Sequence, residues 1–188
     1  MMSMNSTRML KMPKKLVINT SPLISLIAGL GDLQILRHLY DQVIVPKEVC
    51  DEITIKGNAF FDVKVFLEDD WLKKIKREVE ISRFLKNSLD KGEAAVVQTA
   101  VDQEIDLVCI DEIVGRRIAR LHNLKITSSL GIVIAASKRG VELNIERIIS
   151  NVRKHGIWIG QELEKKVLNS FMNKERQIIL NSSFTVSG

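Results

Sequence analysis

An α/β domain built on a mainly parallel sheet is the fold class that this sequence predicts. Three observations predict it. Short β-branched runs alternate with helical patterns along the chain. The runs Leu16-Val17-Ile18, Val43-Ile44-Val45 and Leu107 to Ile110 are apolar without strict alternation, which suits strands covered on both faces. Helix-length segments stand between the runs, as the crossover connections of a parallel sheet require. No internal repeat or low-complexity segment interrupts this alternation.

The elements follow in order. Leu16-Val17-Ile18 reads as a first strand. Pro22 to Leu30 reads as a helix, since proline is tolerated in a first helical turn. Gly31-Asp32 breaks it, and Asp32 is placed to cap a second helix from Leu33 to Tyr40. Val43-Ile44-Val45 is a second strand, ended by Pro46, with a helix from Glu48 to Ile53 after it. Gly57 and Asn58 break the pattern before a short helix over Phe60 to Leu67. Trp71 to Arg77 alternates as a strand does, and Val79 to Leu85 reads as a short helix. Asp90-Lys91-Gly92 opens a strong helix, Glu93 to Gln103. Ile105 to Ile110 is the next strand. Ile113 to His122 is helical, with Val114, Ile118 and Leu121 on one face and Arg116, Arg117 and Arg120 on the opposite one. Lys125-Ile126-Thr127 is a short strand and Ser129 to Lys138 an apolar helix. Helices over Ile145 to Lys154 and Gln161 to Asn173 follow, and the tail from Asn181 reads as frayed.

The 188 residues fit one domain. The boundaries expected are a basic leader over 1–14, a domain over 15–175 and a tail over 176–188. No apolar run approaches the roughly 18–20 residues that span a bilayer, and no apolar block follows the basic residues of the N-terminus as in a signal peptide. Cys50 and Cys109 lie far apart and outside any metal-ligand spacing. They read as reduced and buried, which points to the cytoplasm. His38, His122 and His155 are scattered and form neither a zinc set nor a triad. The net charge of +5 suits a polyanionic partner.

In parallel sheets the ligand crevice lies at the carboxyl ends of the strands. Asn19, Thr20 and Ser21 follow the first strand there, and Asp111 and Glu112 follow the run Ile105 to Ile110. Glu93 opens the helix before that run. Glu52 lies four residues beyond Glu48 and shares its helix face. Asn19 and Asp111 share one sheet edge, whereas Glu52 and Glu93 reach it only if their helices are suitably oriented. Such oxygen donors suit Mg²⁺ or Mn²⁺, and crowded carboxylates repel one another without a cation. Taken singly, each has a plainer role. Asp111, Glu112 and Glu93 each suit the positive end of a helix, Glu52 a solvated face, and Asn19-Thr20-Ser21 the cap of the helix at Pro22.

Four segments carry a family resemblance: VINTSPLISL (Val17 to Leu26), VPKEVCDEI (Val45 to Ile53), LDKGEAAVVQTA (Leu89 to Ala100) and the stretch from Asp106 to Gly140. In this order, over roughly Leu16 to Leu168, they resemble the PIN-domain superfamily. They are most similar to its VapC-like branch, the toxin components of prokaryotic toxin–antitoxin pairs. The resemblance implies a parallel sheet of about five strands flanked by helices, and a metal-dependent ribonuclease using Mg²⁺ or Mn²⁺. By position it implies an acidic pocket of Asn19, Glu52, Glu93 and Asp111, with Glu112 adjacent and Ser21 as the hydroxyl residue following the first acidic position. It implies RNA as substrate and an antitoxin protein as partner.

Two positions depart from the pattern. The usual PIN domain has aspartate where Asn19 stands, though the branch often has asparagine there too; an amide oxygen still ligates a hard cation, with one charge fewer. Glu112 stands where the branch often shows a second aspartate. Arg116, Arg117 and Arg120 beside the acidic pair are placed to hold RNA phosphates or to form a solvated face. Leu163, Val167 and Phe171 at helical spacing serve core packing, a homodimer surface or an antitoxin surface. The rival within the fold is a nucleic-acid-binding or regulatory protein without turnover. A dinucleotide-binding protein is excluded by the lack of G-x-G-x-x-G and of G-x-x-x-x-G-K-[ST].

Overall fold

The computed structural model describes residues 14–60 and 63–157, together with Lys165 and Phe171. The leader, the tail and most of the helix expected over Gln161 to Asn173 therefore lie outside the described residues. The chain runs β1 (Lys15–Ile18), α1 (Thr20–Leu30), α2 (Gln34–Arg37), β2 (Gln42–Val45), α3 (Lys47–Phe60), α4 (Val63–Glu68) and β3 (Lys73–Lys74). It continues α5 (Arg83–Ser88), α6 (Lys91–Asp102), β4 (Leu107–Cys109), α7 (Ile113–Leu121), β5 (Lys125–Thr127), α8 (Ser129–Lys138) and α9 (Ile145–Lys154). Among the described residues the strands form one five-stranded sheet of order β3-β2-β1-β4-β5. Every pairing is parallel, so the sheet expected from the apolar runs is the sheet observed.

The apolar runs become the centre. Leu16, Val17, Ile18, Val43, Ile44, Val45, Val108 and Cys109 are fully buried, because helices cover both faces of the sheet. The reversal of strand order falls between β1 and β4. There the Asn19 N–H donates to the Cys109 carbonyl at 3.0 Å and the Ile110 N–H to the Thr127 carbonyl at 3.2 Å. The ends of β1, β4 and β5 are thereby locked side by side, and the residues that follow them share one edge. Tight turns close the helices where needed. Gly31 ends α1 at φ 85°, a left-handed conformation that glycine adopts without Cβ strain.

Three expectations need correction. The helix expected from Glu48 to Ile53 runs on through Gly57 and Asn58 to Phe60. The strand expected over Trp71 to Arg77 shrinks to Lys73–Lys74, an edge pairing with β2. The helix expected over Val79 to Leu85 instead begins at Arg83, capped by Ser82. The segment before it is neither helix nor strand and is tied down by a tertiary bond, the Val79 N–H donating to the buried Glu48 carboxylate at 2.8 Å.

On α7, Val114 and Leu121 are 55% and 71% exposed. The buried face is Gly115 and Ala119, small residues that let α7 lie close to its neighbours. Arg116 is half-buried, and Arg117 and Arg120 are exposed.

Candidate active site

Asn19 occupies the N-cap position of α1, with extended backbone, yet its side chain makes no capping bond. A cap asparagine normally accepts from the N–H two or three residues on. Here the side chain is buried and its Oδ1 has no hydrogen-bond partner. The plain capping role is thereby removed.

What surrounds Asn19 is acidic. A Cβ placed on Gly92 would stand 2.6 Å from Glu52 Oε2 and 3.3 Å from Asn19 Oδ1, so the two oxygens meet over this glycine. Thr20 Oγ1 donates to Glu52 Oε2 at 2.6 Å and aims that carboxylate toward the end of β1. Glu93 follows directly on α6, whose N-terminus Asp90 caps by accepting from the Glu93 N–H at 2.8 Å. Glu93 is buried and its Oε1 has no partner. Its carboxyl is pushed up to about 7, first by burial and then by the negative charges of Asp90, Glu112 and Glu52.

Asp111 follows β4. Its Oδ1 accepts from the Ser129 N–H at 2.9 Å and its Oδ2 from Ser129 Oγ at 2.8 Å. Burial raises its pKa, the two Ser129 bonds oppose the rise, Glu112 adds to it and Arg116 opposes it. Glu112 accepts a hydrogen bond from Ser21 Oγ. It stands at the N-cap of α7 without capping it.

The structure thus brings Asn19 and Glu52 together over Gly92, places Glu93 Oε1 against Gly115 of α7, and sets Glu112, bonded to Ser21, within electrostatic reach of both Glu93 and Asp111. The charge of Glu112 bears on both Glu93 and Asp111, which ties the two groups electrostatically. Among the described residues no three His, Cys, Asp or Glu side chains form a ready-made metal cage. The donors nonetheless fit a hard divalent cation. All are oxygens, and Asn19 Oδ1 and Glu93 Oε1 are buried acceptors that no protein donor satisfies.

A cavity of about 480 Å³ opens from Asp111 and Glu112. Ser21, Arg116, Ser128 and Ser129 complete its polar end, and Leu26, Leu30, Val133, Ile148 and Val152 form its apolar wall. Arg116 Nε is buried there without a partner. Asn19, Glu52, Glu93, Arg117 and Arg120 do not line this cavity.

The family model for the PIN domain matches residues 15–173. The chain belongs to the PIN-domain family. Comparison with curated proteins and with solved structures gives no match. PIN domains are generally nucleases, hydrolases acting on nucleic acid and usually using divalent metals. No helix of the described residues is long and apolar enough to cross a membrane.

Sequence reasoning missed the residues that aim the acids: Thr20, Asp90, Gly92, Gly115 and Ser129. Two signals pointed to them. Thr127-Ser128-Ser129 lies at the carboxyl end of β5, the same edge as Asp111. Gly115 interrupts a strongly amphipathic helix, and an isolated glycine there has a packing reason more often than not. A Cβ on Gly115 would stand 2.3 Å from Glu93 Oε1.

Ser129 offers a direct check of how Asp111 is held. In Ser129→Ala the Oγ bond is lost while the backbone bond remains. The Asp111 pKa then rises further, since a bond to the charged form is removed. Stability at pH 7 falls by roughly 1–2 kcal/mol. Carboxyl NMR titration and denaturant unfolding read the two effects.

Proposed function

We propose that this PIN domain is an Mg²⁺- or Mn²⁺-dependent endoribonuclease, with Asn19, Glu52, Glu93 and Asp111 holding the cation and Glu112 adjacent. One observation carries the reading. The Asn19 side chain sits at a helix cap without capping it, and its buried, unpartnered Oδ1 faces the Glu52 carboxylate across Gly92. That arrangement is unfavourable in a purely structural role and is what a cation site requires.

A bound divalent cation lowers the pKa of water and neutralises charge on a phosphodiester. The chain's own residues do the rest. Glu93, whose carboxyl is pushed up to about 7 in the metal-free protein, gives up its proton when a cation binds. Ser129 fixes the rotamer of Asp111, and Thr20 fixes that of Glu52. Ser21 positions Glu112. Arg116, half-buried at the polar end of the cavity, supplies a fixed positive charge for a substrate phosphate. Arg117 and Arg120 add exposed positive charge farther along α7.

RNA as substrate, and a toxin role with an antitoxin partner, rest on the resemblance of the four sequence segments to the VapC-like branch. A homodimer rests on the helical spacing of Leu163, Val167 and Phe171 in the sequence. A second reading has its own observation. The amide at Asn19 removes one charge, and among the described residues no three acids form a ready cage, which favours a PIN-fold RNA-binding regulator with weak or no turnover.

Cleavage separates the two. The full chain is incubated with structured RNA in Mg²⁺, Mn²⁺ or EDTA, beside Asp111→Asn and Glu52→Gln. The nuclease reading expects metal-dependent cutting that falls by on the order of 10²-fold or more in each variant. RNA bound but intact under every condition overturns it and leaves the regulator.

A further inference from the structure

The cavity that opens from Asp111 and Glu112 has more apolar wall than a cation and a phosphate can use. Its volume of about 480 Å³ is that of a pocket for a small organic group. Leu26, Leu30, Val133, Ile148 and Val152, from α1, α8 and α9, form the wall. A charged phosphodiester gains nothing from contact with it. The polar groups left open in the cavity are few. The Arg116 side chain makes no hydrogen bond or ion pair among the described residues. The same holds for the Ser25 hydroxyl, which also lines the cavity. Ser128 Oγ accepts from the Gly131 N–H at 3.1 Å and keeps its own hydrogen to donate.

We propose that this cavity takes one nucleobase of the substrate, unstacked and turned in beside the scissile phosphate. The inference rests on the nuclease reading for the place of that phosphate. Asp111 belongs both to the proposed cation set and to the lining of the cavity. A phosphodiester held at the cation therefore sets its attached nucleoside at the cavity. The chemistry of a base matches the lining. Its two faces are apolar and meet the aliphatic wall, as flipped bases do in enclosed pockets. Its edge carries ring nitrogens or carbonyls that accept from Arg116 and from the serine hydroxyls. A guanidinium has five N–H donors, so a bond to the base leaves others for the phosphate. Other occupants match half of the lining. An alkyl chain would desolvate Arg116 and two hydroxyls without a partner. A second phosphate would meet the apolar wall on one side and the charges of Asp111 and Glu112 on the other.

Uncharged nucleosides test this in EDTA, where neither a phosphate nor a cation contributes. Adenosine, guanosine, cytidine and uridine are titrated into the full chain and followed by NMR chemical shifts, with ribose as the control. Ser25→Phe and Leu30→Trp fill the cavity from two partly buried positions of α1. Arg116→Met keeps the stem of the side chain and removes its donors. Circular dichroism checks that each variant folds, and the second filled variant serves if the first does not. The expected result is saturable binding of at least one nucleoside, roughly tenfold or more tighter than ribose. Each filled variant should weaken it roughly tenfold, and Arg116→Met roughly fivefold, the loss of one hydrogen bond. Ribose binding as the nucleosides do, or no nucleoside binding at all, overturns the proposal. So do filled variants that bind as the parent does, or Arg116→Met that does, which would leave an apolar hole without recognition of a base edge. Cleavage is read separately. Metal-dependent cutting without base-dependent binding removes the pocket and keeps the nuclease, whereas base-dependent binding without cutting keeps the pocket and removes the nuclease.

Discussion

Glu93→Gln is expected to stabilise the metal-free protein at pH 8 while abolishing cleavage. The carboxyl of Glu93 titrates at about 7 in the folded chain against 4.5 for an ordinary glutamate. The folded state therefore holds this proton more tightly than the unfolded chain does. The favourable contribution is complete below pH 4.5 and is lost as pH rises through about 7. At pH 8 the charged side chain costs on the order of 3 kcal/mol, the difference expected from that displacement. Glutamine keeps the shape and removes the charge, so it recovers part of this cost, roughly 1–3 kcal/mol. At pH 5 parent and variant should be nearly equal. Thermal unfolding in EDTA at the two pH values reads the effect. A variant less stable than the parent at both would make Glu93 a structural anchor, and the acidic cluster would need another explanation.

Gly115→Ala has the second large effect, and its sign is diagnostic. At an open helix position alanine stabilises by about 1 kcal/mol relative to glycine. Here the new Cβ would stand 2.3 Å from Glu93 Oε1 and 2.9 Å from both Glu93 Cδ and Ile110 Cγ2. Ile110 is fully buried and cannot yield, so the Glu93 carboxylate must move. The expected outcome is a loss of about 1–2 kcal/mol together with cleavage reduced by about 10²-fold, since a carboxylate moved by about 1 Å no longer meets its site. Denaturant unfolding and the cleavage assay measure both. Stabilisation with full activity would show that Glu93 has no positional role.

Much of the fold was legible because its centre is made of apolar runs. Leu16–Ile18, Val43–Val45 and the segment before Asp111 could only be buried strands, and parallel order followed from the helices between them. The same logic placed Asn19 and Asp111 on one edge. What remained hidden was of two kinds. Helix faces made of small residues do not register as apolar stripes, so the inward face of α7 was not legible: Gly115 and Ala119 pack inward while Val114 and Leu121 face solvent. Bonds between distant segments are invisible to local pattern. Thr20 with Glu52, Ser129 with Asp111 and Glu48 with Val79 join different elements, and the last ties down a segment that is neither helix nor strand where a helix was expected. The acids could be picked out as candidates, whereas their bonds to residues on other elements could not.

The most direct measurement of the central claim is a calorimetric titration of Mn²⁺ into the full chain at pH 7, repeated in buffers of different ionisation enthalpy. If Asn19, Glu52, Glu93 and Asp111 hold one cation, binding drives the proton off Glu93, which is about half protonated at that pH. The account predicts saturable binding with release of roughly half a proton, and loss of both in Glu93→Gln. Heat that is absent, or that is the same in the parent and in Glu93→Gln, would contradict it.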